Sequence, residues 1–205
     1  TYLAAAEFRL RHNDYHKALQ KFEVFFNKGI NLSSVDLDHY RYRWAFAAYK
    51  AKRYQSSARI LEQLVRKKNL SSDTDKAVAK LLYVVRASLE QKNDSIVNRK
   101  LLLTAAQRFV RKNPADSDAD TARLAIAQLT SDTKNAIQSL NQIQSKSNLG
   151  STINHTRFKI VARDFNLKIA RGETQAAAEL AIQGIRAFHA LLERDKVDSL
   201  NNATL

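Results

Sequence analysis

The sequence has no cysteine, no methionine, one proline and four glycines among 205 residues. Without cysteine there is no disulfide, no thiolate metal site and no cysteine nucleophile, and the redox compartment stays open. So few glycines and prolines exclude the turn-rich classes, because sandwiches, barrels and dinucleotide-binding sheets draw on both residues at their tight turns. A glycine-rich phosphate loop has no material to be built from. No stretch approaches the roughly eighteen consecutive apolar residues of a membrane-spanning helix. Methionine is missing even at position 1, which reads as a processed or trimmed chain. What is present suits a chain with a real core: 44% of the residues are hydrophobic and 26% charged.

The formal charge is +14, and it is unevenly placed. Residues 1–112 carry 23 Lys/Arg against 10 Asp/Glu, and residues 113–205 carry 11 against 10. The first half is therefore +13 and the second +1. Such asymmetry bears on partners rather than on fold. It suits an anionic partner: an acidic protein segment, nucleic acid, anionic lipid or acidic polysaccharide. The plain alternative is a solvated basic surface without a specific ligand.

Helical periodicity runs along the whole chain. Tyr15, Ala18, Leu19, Phe22, Phe25 and Phe26 recur three to four apart, as one face of a helix does. Trp44, Ala45 and Ala48, then Ser57, Leu61 and Leu64, then Leu81, Leu82, Val85 and Leu89 repeat the pattern. Leu102, Ala105, Ala106 and Phe109 follow, stopped at Asn113-Pro114, since the residue before proline is pushed out of the α region. The second half repeats it more weakly, with helices expected from Asp116 to Leu129, through Ala136 and Leu140, through Phe158 to Ile169, and through Ala178, Ala181, Ile182 and Ile185. Ser147–Ser151 reads as a loop and Gly172 as a break. The expectation is all-α: about ten antiparallel helices in five hairpins over 1–30, 35–69, 73–113, 116–147 and 151–195. They form one domain over 1–205, with 200–205 a frayed tail. A small residue opens each second helix at Ala18, Ser57, near Asn98–Leu102, Ala136 and Ala178, a period of about 40 residues. Helix pairs at a fixed period of that size mean an α-solenoid, because one hairpin cannot bury its apolar face alone.

These residues resemble the tetratricopeptide repeat (TPR) family or its TPR-like relatives. Ala6, Asn13-Asp14-Tyr15, Ala18, Phe22 and Phe25 resemble the family's small–turn–Tyr–small–aromatic pattern. Trp44, Ala45, Ala48, Tyr54, Ser57, Leu61 and Leu64 repeat it. Phe109 with Pro114, then Ala136, Leu140 and Ile143, then Gly172, Ala178 and Ile182 carry it weakly onward, with an extra turn in the third hairpin's second helix. The family's usual repeat is about 34 residues, so this unit is long. The resemblance implies a right-handed superhelix whose first helices line a groove for peptide or protein partners. The family's carboxylate clamp, which grips an acidic C-terminus through Lys and Asn on the first helix, is not matched: Leu3 and Glu7 stand there.

Catalytic constellations are missing. No Ser sits in a nucleophile elbow and there is no H-E-x-x-H. His12 and His16 straddle a turn with no third ligand nearby, and His155 and His189 stand alone. No metal and no cofactor is expected. The binding residues expected are His39, Tyr42, Arg43, Phe46 and Lys50, one helical stripe beside the Trp44–Ala45–Ala48 packing stripe, extended by Lys80 and Tyr83. Arg43 is expected to fork onto a partner's carboxylate or phosphate. Arg66, Lys67, Lys68, Arg111 and Lys112 form basic patches, or else only complement helix C-termini. The functional expectation is a non-enzymatic interaction scaffold whose basic half holds an acidic protein segment, within a larger envelope or secretion assembly. The alternatives are an anionic-polymer binder, for polysaccharide or nucleic acid, and the helical arm of a larger enzyme. The location expected is a bacterial periplasm or cell envelope, with the cytoplasm as the alternative.

Overall fold

The computed structural model describes residues 2–28, 34–144, 147–182, 184–186 and 189. Helices α1 (Tyr2–Arg11), α2 (Tyr15–Asn27), α3 (Ser34–Lys50), α4 (Tyr54–Val65), α5 (Ser72–Lys92) and α6 (Ile96–Lys112) form three hairpins. Helices α7 (Ala119–Leu129), α8 (Thr133–Asn141) and α9 (Gly150–Ala170) follow, and a tenth helix, α10, runs over 174–182. There is no strand among the described residues, and no described helix is long and apolar enough to cross a membrane. The chain divides into two compact units, Thr1–Ala115 and Asp116–Leu205. The first contains the three hairpins α1/α2, α3/α4 and α5/α6 and all of the net +13. The second contains α7/α8 and α9/α10. The 200–205 tail lies outside the described residues.

Turns repeat with the hairpins. Asn13, Lys52 and Gly172 all have left-handed backbone, at φ 58°, 59° and 74°. At each, the next residue's N–H reaches back five residues: Asp14 to Arg9, Arg53 to Ala48, and Glu173 to Lys168. That is a Schellman C-cap, which satisfies carbonyls the helix end would leave unpaired. Glycine adopts this backbone freely and asparagine often, but lysine does so at a cost. Lys52→Gly should therefore raise stability by about 0.5–1 kcal/mol, seen as a higher urea midpoint at unchanged slope. A lowered midpoint would mean that the Lys52 side chain, not its backbone, matters.

The opposite end of each described hairpin α1/α2 to α7/α8 is tied by a polar contact to the first helix from the end of the second helix or the residues just after it. Lys28 Nζ donates to the Tyr2 hydroxyl at 3.1 Å. Lys67 pairs with Asp38. Lys112 pairs with Asp75 at 2.6 Å, and Arg108 reaches the same carboxylate. The backbone N–H of Gln144 donates to Asp120 at 3.3 Å.

The small residue expected at the start of the second helix is its fourth in α2, α4 and α8, where Ala18, Ser57 and Ala136 are all 0% exposed; in α10 the buried fourth residue is Ala177, not the expected Ala178. Ser57 satisfies its buried hydroxyl by donating to the Ala45 carbonyl at 2.8 Å. In α6 the fourth residue is Arg99, exposed and paired with Asp94. This helix has an added first turn, which leaves Ile96 86% exposed and delays burial to Leu102. The first helices cover the preceding hairpin with a fixed spacing. In α3 the stripe is Tyr40, Trp44, Ala47 and Ala51, packed on α1 and α2. Val78, Leu82, Val85 and Leu89 repeat the spacing in α5, and Leu149, Ile153 and Ile160 keep most of it in α9 over α7 and α8.

Three details differ from the sequence reading. α7 starts at Ala119, not Asp116, because the Asp116 carboxylate accepts the Asp118 N–H at 3.0 Å in an Asx turn. α9 already begins at Gly150, which is buried, so the loop before it is shorter. In α10 the buried residues are Ala177 and Leu180, while Ala178 is exposed and Ile182 is 52% exposed. Between α9 and α10 lies an apolar cavity of about 410 Å³, walled by Phe158, Val161, Phe165, Leu180 and Ile185.

Candidate functional site

The first-helix face of the basic unit is formed by α1, α3 and α5. The α3 stripe chosen from spacing falls on it unevenly. His39 and Lys50 are exposed, and Tyr42, Arg43 and Phe46 are half-buried. The Lys50 ammonium lies 5.5 Å from the centre of the Phe46 ring and 5.8 Å from that of Tyr49, in cation–π range. Phe46 also packs against the α1/α2 core, so part of its ring is structural.

Tyr42 lies half-buried on α3. Burial raises its phenol above the ordinary value, against the lowering charges of Arg43 beside it and of Lys80 on α5. It is therefore a neutral hydroxyl at pH 7, able to donate or accept a hydrogen bond next to two cations. Lys80, the expected extension of the stripe, is half-buried on α5 and within electrostatic reach of Tyr42.

Two expected anchors have other employment. Arg43 already forks onto a carboxylate, that of Glu7 on α1: Nε to Oε1 at 3.1 Å and the terminal nitrogen to Oε2 at 2.5 Å. The pair is partly shielded and bidentate, the geometry that makes arginine–carboxylate contacts strong. Arg43 thus fixes α3 to α1 rather than waiting for a partner. Tyr83 is 7% exposed and stacks on Phe109 at 5.3 Å with the rings 8° from parallel. It belongs to the α5/α6 core and is not a surface anchor. Trp44, taken as core from its spacing, is half-buried, and its ring stacks on Phe26 at 4.8 Å.

The basic patches divide in the same way. Lys67 and Lys112 are the hairpin ties to Asp38 and Asp75. Arg66, Lys68 and Arg111 are exposed at the same helix ends. Lys67 and Lys112 are thus engaged within their own hairpins.

The second unit has a polar pocket that spacing did not reveal. It lies between α7 and α9, has a volume of about 340 Å³, and is lined by Gln128, Thr152, His155, Thr156, Lys159 and Arg163 around Ile160. Thr156 is 4% exposed, and its oxygen accepts the Gln128 amide at 3.4 Å. Arg163 donates to the Ser131 carbonyl at 3.1 Å, which holds its guanidinium at the rim. The residues at 152, 155, 156, 159 and 163 share one helix face, a signal present in the sequence. It went unread because His155 looked solitary until Gln128, 28 residues before Thr156, was placed beside it.

No known family model matches the sequence, and no curated protein matches it. Solved structures do. YrrB, described as a TPR protein with an unusual peptide-binding site, superposes with a TM-score of 0.56 at 18% identity over 92% of this chain and 89% of that one. A putative kinesin light chain from Podosopora anserina with nearly identical TPR-like repeats superposes with a TM-score of 0.51 at 16% identity over 94% of this chain and 95% of that one. A point variant of that same protein matches equally well. At these identities the likeness is one of architecture, and with the hairpins, their repeated turns and their buried small residues it shows that the chain has the TPR-like helical-repeat fold.

Proposed function

We propose that the chain is a non-catalytic protein-interaction scaffold, and that the α1–α3–α5 face of its basic unit takes an acidic, extended peptide segment. The observation that carries this reading is the half-buried Tyr42 on α3, within electrostatic reach of Lys80 on α5, in a unit whose charge is +13. Tyr42 and Phe46 supply rigid apolar contact with little entropy to lose, and Tyr42 adds a hydroxyl. Lys50 and Lys80 supply positive charge for carboxylates, and His39 adds a ring nitrogen for hydrogen bonding. The TPR-like fold supports a peptide or protein as the ligand class, and YrrB is a peptide-binding example of it.

The test is fluorescence anisotropy with a labelled, Asp/Glu-rich peptide of about ten residues. Tyr42→Ala and Lys80→Gln should each weaken binding about tenfold, the scale of one hydrogen bond to a charged group. Affinity should also fall as salt rises past the physiological range. If single-stranded DNA or heparin bound more tightly than the peptide and Tyr42→Ala left all three unchanged, an anionic-polymer function would replace this one.

A further inference from the structure

We infer that the pocket between α7 and α9 is a second recognition site, built for the phosphate monoester of a phosphorylated peptide. This rests on the reading above that first-helix faces of this chain take peptide, but it uses the other unit and different residues. Its lining is rich in hydrogen-bond donors. Lys159 brings three N–H groups, and Arg163 brings five, of which the Ser131 carbonyl takes one. The Thr156 hydroxyl accepts the Gln128 amide at 3.4 Å, which leaves its own O–H to donate. Thr152 and His155 complete the ring. No carboxylate is among the pocket's described lining residues. The acid nearest in sequence to the Ser131 contact, Asp132, is engaged at 2.6 Å by the N–H of Asn135 as the cap of α8.

The pocket is positive although its unit is close to neutral, at +1, so its charge is local and not a share of a general basic excess. Two cationic side chains, Lys159 and Arg163, line one volume of about 340 Å³. A phosphate monoester carries close to two negative charges and three strong acceptor oxygens. It matches the two cations in charge and gives the hydroxyl donors oxygens to meet. A carboxylate has one charge and two oxygens, and would leave part of the lining unmatched.

The experiment is calorimetric titration of the full chain with a capped, otherwise neutral peptide containing one phosphoserine. Its unphosphorylated form, its Glu-substituted form and inorganic phosphate are titrated alongside. The phosphopeptide should bind at least about tenfold more tightly than each of the other three. Lys159→Gln and Arg163→Gln should each weaken it by about tenfold, with Arg163→Lys intermediate because the charge stays while the fork is lost. Lys80→Gln should leave it unchanged. Equal binding of all peptides, indifference to both Gln variants, or inorganic phosphate binding as tightly as the phosphopeptide would each overturn the inference. If the acidic peptide binds and responds to Lys80→Gln while the phosphopeptide does not bind, this inference fails alone. If neither peptide binds, both readings fail.

Discussion

Phe109→Ala is expected to lower stability by about 3–5 kcal/mol, enough to unfold a marginal chain. Phe109 is 0% exposed and its ring lies flat on Tyr83, which is itself buried. Around it α6 offers Ala105 and Ala106, side chains too small to collapse into the space left behind. The loss would therefore be the transfer term plus most of the cavity term. Urea denaturation followed by far-ultraviolet circular dichroism measures it. Phe109→Leu should cost much less, because it keeps most of the volume. A Phe109→Ala variant as stable as the parent would mean that α5 and α6 do not pack face to face here.

Asp75→Asn is expected to cost about 1.5–3 kcal/mol at pH 7, the range for hydrogen bonds to charged groups. Asp75 sits at the start of α5 with its side chain 15% exposed, and holds both Arg108 and Lys112 from the end of α6. Burial raises its pKa, but the hydrogen bonds and charges of Lys112 and Arg108 outweigh that, and the net shift is downward. A depressed carboxylate stabilises the fold above its unfolded value of about 4, and the contribution is lost as pH falls through the lower folded value. The gap between parent and Asp75→Asn should thus be full near neutrality and shrink as the pH is taken below about 4. Melting temperatures of the two proteins at pH 7, 4 and 3 measure it. A gap that widened with acid would contradict the assignment of Asp75 as the paired group.

Much of the fold is legible in the residues, for physical reasons that can be named. The hairpins show because Ala18, Ser57 and Ala136 must be small where two helices meet, and no other chemistry mimics that spacing. Asn13 and Gly172 announce left-handed turns, since those residues tolerate positive φ. Lys52 has the same backbone and announces nothing, because lysine has no preference for it. The register of α10 is hidden in Ala176-Ala177-Ala178: three alanines carry no size information, so the helix turns by one residue without a signal.

The candidate sites were less legible. Lys80 and Tyr83 stand three apart on one helix, yet Tyr83 is drawn inward by Phe109, 26 residues later, which no local pattern reports. Arg43 and Glu7 are 36 residues apart, and their pairing follows only from α1 lying beside α3. Charge counting had the same weakness. It located the excess in the first unit but could not separate Lys67 and Lys112, which tie hairpins, from Arg66, Lys68 and Arg111, which lie exposed.

The most direct measurement is amide chemical-shift mapping of the full chain, isotope-labelled, during titration with the acidic peptide. The shifts should concentrate on α3 and α5 around Tyr42, Phe46 and Lys80, with little change along α2 and α4, whose apolar faces are committed to the hairpins. Shifts spread over every exposed Lys and Arg of residues 1–112 would show diffuse attraction to a basic surface, and shifts confined to residues 116–189 would place acidic-peptide binding in the wrong unit. Either result would contradict a defined peptide-binding face on α1, α3 and α5.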